Sequence, residues 1–226
     1  MTVYFSKLGQ MGRLGNSLFQ LAATISLAID NNDLYIFPSW EFEQYFPALQ
    51  GCFSNNIKPK STYQEPHFHY APIPYSEGMD ITGFYQSYKY FENNQAIIQG
   101  LLTPKNNLGI KYGYTSIHCR RGDYLTSTDC YENLGMDYYN KAMDMIKSKH
   151  YIVFSDDIEW CKKNFIGEQF IFSEGRSPIE DFILQKSCAN NIIANSSFSL
   201  FSAWLNLNPS KIVIAPKKWF GPKLNH

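Results

Sequence analysis

The chain carries no excess of charge of either sign. Its 226 residues include 20 lysines and arginines and 20 aspartates and glutamates, so the formal net charge at pH 7 is zero. A protein that binds a nucleic-acid backbone or an anionic membrane over a broad face usually has a surplus of basic residues. The composition therefore predicts no nucleic-acid partner, and a site for an anion must depend on a few basic residues placed together.

Cysteine is scarce, and long apolar runs are missing. The five cysteines are odd in number and include no CxxC or CxH spacing, which argues against a disulfide framework and against a zinc site. The longest apolar run, Leu18 to Ile29, is interrupted by polar residues and is too short to span a bilayer. The N-terminus lacks the pattern of a signal peptide. These absences predict a cytoplasmic protein with reduced thiols and no transmembrane segment.

The length and the hydrophobic content indicate a globular protein of one large or two small domains. Hydrophobic residues make up 44% of the chain and aromatic residues 16%, enough for a sizeable core and for rings that stack on bases and sugars. The length is about one and a half times that of a 150-residue domain. Segment 103–107 is the best candidate for a linker, which predicts domains at 1–104 and 108–226.

The first domain opens with a strand, a glycine-rich loop and a helix. A β-prone run at 2–6 is followed by glycines at 9, 12 and 15, and Asn16 is predicted to cap a helix from Ser17 to about Asn31. The glycine spacing is GxxGxxG and not GxGxxG, so a dinucleotide site is only weakly predicted and a plain tight turn is the alternative. Further strands are expected at 33–38 and 79–85, with a helix at 90–102.

Between residues 40 and 75 the pattern becomes irregular. Prolines interrupt this segment repeatedly, and many aromatic residues and two histidines crowd it. The rings provide either a stacking surface for an acceptor sugar or the packing beneath long loops. We favour packing, because buried contact is the commoner use of aromatic side chains.

The second domain alternates strands with helices. Strands are predicted at 114–119, 151–155, 169–173, 191–194 and 211–215, and helices at 136–148, 158–165, 178–188 and 198–206. This alternation is typical of a parallel sheet with helices on its faces. Three polar segments, 118–124, 155–157 and 195–199, follow three of these strands. The topology therefore predicts that they meet at one edge of the sheet, where open α/β sheets bind ligands.

Each polar segment has a chemistry that suits a nucleoside diphosphate. Arg120 and Arg121 present planar guanidinium groups that grip a diphosphate in two places, although an arginine pair is more often a solvated loop. The serine run after Asn195 leads into a helix whose free amides form an anion site, or it only caps that helix. Ser155 or Asp156 is the expected cap of the next helix, and one of the paired acids can instead accept hydrogen bonds from guanine.

Four short motifs extend from Gly12 to Ser199. They are Gly12-Arg13-Leu14-Gly15-Asn16, His118-Cys119-Arg120-Arg121-Gly122-Asp123-Tyr124, Phe154-Ser155-Asp156-Asp157 and Asn195-Ser196-Ser197-Phe198-Ser199. In this order they resemble the motifs of the α-1,2-fucosyltransferases, glycosyltransferase family 11, and the first also resembles the glycine loop of protein O-fucosyltransferases. The resemblance implies an α/β, GT-B-like fold of two Rossmann-like halves. The donor site is expected in the C-terminal half, and the acceptor-side N-terminal half is expected to be shortened in this chain.

The resemblance also implies roles for particular residues. Catalytic roles fall to Arg120, which would neutralise the leaving diphosphate, and to Asp123 and Asn16. Donor binding is expected from Arg13, Gly15, His118, Arg121, Asp156, Ser196, Ser197 and Phe198. Among these, Asp156, favoured over Asp157, and His118 are expected at the guanine, while Arg13 and Asn16 would meet the sugar from the first domain. The sequence shows no obvious general base: Asp123 and Asp129 are the candidates, and a strongly stabilised leaving group would alternatively allow a weak base. No metal or other cofactor is expected, because the paired acids lack a DxD spacing and the resembled enzymes need no metal.

The leading hypothesis is an inverting, metal-independent glycosyltransferase that moves L-fucose from GDP-fucose to an acceptor glycan, with the 2-OH of a galactose as the expected acceptor atom. Relatives in the secretory pathway carry a membrane anchor, and the sequence predicts no transmembrane segment here. We therefore expect a bacterial or viral type of enzyme. The alternatives are a fucosyltransferase of another linkage and a non-catalytic protein that binds a nucleotide sugar or a glycan. A Rossmann oxidoreductase is disfavoured by the glycine spacing and by the lack of an acid about twenty residues beyond the loop.

Overall fold

The chain consists of two compact units. A computed structural model describes residues 1–105 and 113–224, and it divides into Met1–Lys105 and Asn106–His226. Residues 106 and 107 of the predicted linker and the predicted start of the second domain at 108 lie outside the described residues. None of the helices in the two described ranges has the length and apolar character that a membrane span requires.

The first unit contains a four-stranded parallel sheet. Its strands are β1 (Thr2–Tyr4), β2 (Leu34–Ile36), β3 (Ser61–Gln64) and β4 (Met79–Thr82), in the spatial order β2-β1-β4-β3. Two helices accompany them, α1 (Leu14–Asp30) and α2 (Gln95–Leu101). The segment predicted to be irregular therefore contains a strand, β3. Sequence patterns missed β3 because it is a short edge strand, and most of its side chains are exposed.

Two helix boundaries of the first unit correct the predictions. Helix α1 begins at Leu14, with Arg13 in an extended conformation as its N-cap, so the prediction that Asn16 caps the helix was wrong. Asn16 lies in the first turn, where its Oδ1 accepts a hydrogen bond from Nε2 of Gln86 at 2.8 Å. The predicted helix at 90–102 is also shorter than expected, because separate 3-10 turns at 88–90 and 92–94 precede α2.

The second unit contains a five-stranded parallel sheet. Its strands are β5 (Thr115–Cys119), β6 (Tyr151–Ser155), β7 (Phe170–Phe172), β8 (Asn190–Ile192) and β9 (Val213–Ile214). Its helices are α3 (Met136–Ile146), α4 (Ile158–Asn164), α5 (Pro178–Lys186) and α6 (Ser197–Trp204). The predicted alternation of strands and helices is confirmed, with boundaries that differ by a few residues.

The order of the second sheet fixes where a ligand binds. The strands lie side by side as β7-β6-β5-β8-β9, so the chain moves outward from β5 to β7 and then returns to the opposite side of β5 with β8. In open parallel sheets the crevice at such a reversal, beyond the carboxyl ends of the strands, is the usual ligand site. Here the reversal lies between the ends of β5 and β8. In the first sheet the chain crosses from β2 to the opposite edge strand, β3, and then returns inward to β4, which lies beside β1.

Asn191, in the middle of β8, joins three parts of the second unit. It is fully buried, and its Nδ2 donates to Oγ of Ser116 on β5 and to the carbonyl of Gln185 on α5, both at 2.8 Å. Its Oδ1 accepts from Nδ2 of Asn206 at 2.8 Å. A buried amide with these partners fixes β8 beside β5, because a wrong register would leave the polar groups unpaired.

We therefore expect Asn191→Ala to destabilise the protein by about 2–4 kcal/mol, because it leaves buried partners unsatisfied. Urea denaturation followed by circular dichroism measures the change. Asn140→Ala is the control, since Asn140 is exposed on α3 and its replacement should change the free energy of unfolding by less than about 0.5 kcal/mol. Equal stability of the two variants would contradict the assigned role.

Candidate active site

Arg120 lies directly after β5, and its guanidinium group is held by two carboxylates. Nη1 donates to Oδ2 of Asp156, and Nη2 donates to Oδ1 of Asp123. The guanidinium carbon is 5.1 Å from the centre of the Tyr124 ring, and only 12% of the side chain is exposed. Carboxylates on two sides and a ring face orient the planar group at the sheet reversal.

Arg121 points to different partners and fixes the loop. Its Nε donates to Oδ2 of Asp157 at 3.1 Å, and its guanidinium carbon lies 3.9 Å from the centre of the Trp160 ring. Its backbone amide donates to Oδ1 of Asp156 at 2.9 Å. The arginine pair is therefore no solvated loop, since Arg121 ties the end of β5 to α4 while Arg120 remains at the reversal.

Asp156 and Asp157 have different structural roles. Oδ1 of Asp157 accepts a hydrogen bond from the amide of Trp160 at 3.2 Å and caps α4. The prediction that Ser155 or Asp156 is the cap was therefore wrong. Ser155 instead uses its Oγ to accept from the amide of Asp157 at 2.9 Å. Both oxygens of Asp156 accept from arginine groups, so the assignment of Asp156 to guanine stays a prediction that requires these contacts to open.

His118 and Phe198 lie together at the reversal. His118 is on β5 and only 7% exposed, and its ring centre is 5.5 Å from that of Phe198. Burial, reinforced by the charge of Arg120, lowers the pKa of His118 to about 3, so the imidazole is neutral at pH 7. Its buried Nδ1 has no hydrogen-bond partner among the described residues. The two predicted donor-site residues thus form one surface.

The serine run connects to the arginine loop. Ser196 is the N-cap residue of α6, and Ser197 is the first residue of that helix. Asn195 precedes them, and its carbonyl accepts a hydrogen bond from the Tyr124 hydroxyl at 3.2 Å. The segments after β5, β6 and β8 are therefore in direct contact. This grouping places a positively charged side chain and a helix N-terminus at the same edge, an arrangement that suits an anionic ligand.

Asp181 is a carboxylate that the sequence analysis missed. It lies in the first turn of α5, and its Oδ1 accepts from Oγ of Ser173, directly after β7, at 2.5 Å. Burial raises its pKa to about 6, and carboxylates perturbed in this way are often found at functional sites. The next residue, Phe182, packs its ring on Phe198. Ser177 and Glu180 form a capping box at the start of α5, a sequence pattern that indicates only a helix N-terminus.

The predicted residues of the first unit form a separate group. Gly12 has φ +85, and a Cβ there would lie 2.0 Å from Nδ2 of Asn16, so glycine is required both for the turn and for the position of Asn16. Asn16 is linked to Gln86, four residues beyond β4. Arg13 is exposed and Gly15 is buried in α1. The roles of these residues at the sugar stay predictions.

The comparisons with known proteins agree on one family. The model of Glycosyl transferase family 11 matches residues 17–224. The O-antigen biosynthesis glycosyltransferase WbnK of Escherichia coli is 42% identical over 117 residues, covering 47% of this chain and 39% of that protein. An alpha-1,2-colitosyltransferase of Escherichia coli is 35% identical over 163 residues, covering 63% and 56%. Galactoside alpha-(1,2)-fucosyltransferase 1 of Bos taurus is 24% identical over 233 residues, covering 86% and 64%.

The chain therefore spans only 39% to 64% of the length of these relatives. A crystal structure of POFUT1 in complex with GDP matches 95% of this chain and 97% of that chain with a TM-score of 0.59 and 12% sequence identity. At that identity the likeness concerns the fold alone. The predicted α/β, GT-B-like fold class is confirmed.

The burial of His118 leads to a prediction about pH. The unfolded state protonates His118 near pH 6.5, whereas the folded state does so only near pH 3, so stability is lost as the pH falls below 6.5. The loss is about 1.4 kcal/mol per pH unit. His118→Gln should remove this part of the slope in urea denaturations between pH 7 and 5, whereas His67→Gln, at an exposed position, should keep it. Identical slopes for both variants would contradict a neutral buried His118.

Gly122 gives a second prediction. A Cβ at this position would lie 2.4 Å from Oδ2 of Asp156, so Gly122→Ala must displace the carboxylate that holds Arg120. We expect the substitution to destabilise the protein by about 1–3 kcal/mol in urea denaturation, because the overcrowded carboxylate must leave its place beside Arg120. Gly135→Ala is the matched control, because a Cβ there meets nothing within 4 Å. Equal stability of the Gly122→Ala variant and the native protein would show that the position of Asp156 is not critical.

Proposed function

Because the chain belongs to glycosyl transferase family 11, we propose that it transfers L-fucose from GDP-fucose to the 2-OH of a galactose in an acceptor glycan. The observation that carries this proposal is the contact of the segments after β5, β6 and β8 around Arg120 at the sheet reversal. The family match and the α-1,2-transferases among the relatives support the reaction class.

The diphosphate of the donor is the group that Arg120 binds. When the donor enters, phosphate oxygens replace Asp123 or Asp156 as acceptors of the guanidinium N–H groups, which form paired hydrogen bonds with phosphate. The amides at the start of α6 supply further donors. No metal is required in this arrangement, because Arg120 and the helix N-terminus provide the positive charge.

The reaction is an inverting displacement at C1 of the sugar. The bond between C1 and the β-phosphate oxygen breaks with its electron pair leaving on GDP, and the acceptor oxygen forms the new bond to C1. Arg120 stabilises the negative charge that grows on the leaving phosphate. The proton of the acceptor hydroxyl passes to a base, for which Asp123 is the first candidate because its side chain is 58% exposed. Asp129, which is also exposed, is the second.

A related donor is the second candidate. Colitose is L-fucose without the 3-hydroxyl, and the chain is 35% identical to an alpha-1,2-colitosyltransferase. Competition between equal concentrations of GDP-fucose and GDP-colitose distinguishes the two donors. Preference for GDP-fucose supports the main proposal. Preference for GDP-colitose would mean that colitose is the transferred sugar, with the proposed GDP site unchanged.

The proposal is tested with purified protein and a panel of GDP-, UDP- and ADP-sugars. We expect release of GDP from GDP-fucose, transfer to galactosides with an α-1,2 linkage identified by NMR, and full activity in EDTA. A loss of turnover in EDTA that Mn²⁺ restores would contradict the metal-free mechanism. Binding of glycan with no release of any nucleotide would favour the non-catalytic alternative.

Two carboxylates compete for the guanine, and their variants separate them. Asp156 is the predicted reader, although both of its oxygens accept from arginine groups; Asp181, whose Oδ1 accepts from Oγ of Ser173, is the second candidate. The Asp→Asn variant of the reader should reduce the preference for GDP over ADP by roughly tenfold, and the variant of the other carboxylate should change the affinity for both nucleotides alike. Isothermal titration with both nucleotides measures the preference. A selective loss in Asp181→Asn alone would contradict the assignment of guanine to Asp156.

Arg120→Lys should be nearly as damaging as Arg120→Ala. Lysine keeps the charge but lacks the planar fork, so the variant loses at least one charge-assisted hydrogen bond of roughly 1.5 to 3 kcal/mol. Because that bond strengthens as GDP leaves, the loss should appear in kcat as well as in the donor KM, by about tenfold per 1.4 kcal/mol. Steady-state kinetics measure both constants, with folding checked by circular dichroism. A folded Arg120→Lys protein with normal turnover would mean that another residue binds the phosphate.

A further inference from the structure

The first unit presents aromatic rings to solvent on one loop. Phe68 is 47% exposed and Tyr70 is 41% exposed, although the sequence analysis favoured packing for the rings of this segment. Phe68 lies parallel to Phe84, with ring centres 5.7 Å apart and an angle of 14° between the planes. We name Phe68, Tyr70 and Phe84 the aromatic platform. Clustered exposed rings of this kind often mark a binding surface.

The platform rests on a rigid support. Glu65 follows β3, and its Oε2 accepts hydrogen bonds from the amides of Phe84 at 2.7 Å and of Tyr85 at 3.0 Å. A Cβ at Gly83 would lie 2.6 Å from the same oxygen, so Glu65 packs directly on the backbone beyond β4. Tyr70 packs on Tyr90, with ring centres 4.9 Å apart. The rings are therefore held in place before any ligand arrives, which lowers the entropy cost of binding.

The platform lies at the ligand edge of its sheet. Phe84 comes two residues after β4 and two residues before Gln86, which donates to Asn16. Strand β4 adjoins β1 where the order of the first sheet reverses. The carboxyl edge at such a reversal is where this class of sheet binds ligands, so the platform and Asn16 share an edge of the first unit.

The rim of the platform carries hydrogen-bonding groups. His67 and His69 are both exposed, with ring centres 5.6 Å apart, and the ammonium group of Lys89 lies 5.6 Å from the centre of the Tyr70 ring. A galactose ring has one face of C–H groups and an edge of hydroxyls. Such a ring can stack its C–H face on an aromatic side chain while imidazole and ammonium groups bind its hydroxyls.

We propose that the aromatic platform binds a galactoside ring of the acceptor glycan. A flat apolar face beside two imidazoles and a lysine offers a neutral sugar both a stacking face and hydrogen-bonding groups, whereas an apolar protein surface would use only the stacking face. The identity of this galactoside as the acceptor rests on the proposed function, whereas binding of the sugar does not. Phe68 is the central residue, because its ring is more exposed than that of Tyr70.

Saturation-transfer NMR with methyl β-D-galactoside and lactose tests the platform without any donor. We expect saturation on the protons of the C–H face of galactose, and Phe68→Ala should weaken binding of the galactoside by roughly tenfold. Phe68→Trp should retain binding. Ile97→Ala is the control, because Ile97 on α2 is 51% exposed in the same unit and should leave binding unchanged. An unaltered signal in Phe68→Ala, or no signal from either sugar in the native protein, overturns the proposal.

Transfer assays separate this inference from the proposed function. Phe68→Ala should raise the acceptor KM by roughly tenfold while leaving GDP affinity unchanged. If the native protein transfers fucose and Phe68→Ala has the same acceptor KM, the platform does not bind the acceptor, and the proposed function is supported. If the galactoside signal depends on Phe68 but no GDP is released from GDP-fucose, the proposed function is contradicted, and galactoside binding at the platform is supported.

Discussion

The ion pairs of Arg120 with Asp123 and Asp156 hold the functional edge of the second unit together. They join the end of β5 to the end of β6, and the space for Asp156 exists only because residue 122 is glycine. Arg121 extends the same connection to the cap of α4, and Tyr124 extends it to the end of β8. Loops from three strands thus meet around one largely covered guanidinium group, whose loss would leave Asp123 and Asp156 without their counter-charge.

The proposed diphosphate site does not require a net positive charge on the chain. Arg120 and Arg121 are balanced by nearby aspartates, so the surface carries no broad positive field. A diphosphate that displaces a carboxylate from Arg120 meets a guanidinium group that is already oriented, and the neutral imidazole of His118 adds no second positive charge near it. The exchange of one anion for another keeps the desolvated arginine paired throughout. Affinity in such a site depends on geometry more than on the number of charges.

The sequence predicted the architecture of the second unit because short β-prone segments alternate there with helical patterns, which local periodicity and turn residues indicate. It also predicted that segments 118–124, 155–157 and 195–199 meet, since parallel topology brings their ends to one edge. The sequence did not reveal β3, because the exposed residues of this strand lack a hydrophobic pattern. It also misplaced the start of α1, because Asn16 is hydrogen-bonded to Gln86, which is distant in the sequence. The expected packing of the aromatic segment is confirmed for Trp40 and Phe46, but not for the exposed ring of Phe68. Asp181 was missed. The burial of Asp181 and the exposure of Phe68 both depend on tertiary packing.

The central claim is that a guanine nucleoside diphosphate binds where β5 and β8 end. A crystal structure of the protein soaked with GDP tests it most directly. We predict the β-phosphate within hydrogen-bond distance of the Arg120 guanidinium group and of the amides that begin α6, with the guanine beside His118 and Phe198. GDP bound at another edge of the sheet, or phosphates that leave both ion pairs of Arg120 intact, would contradict the claim.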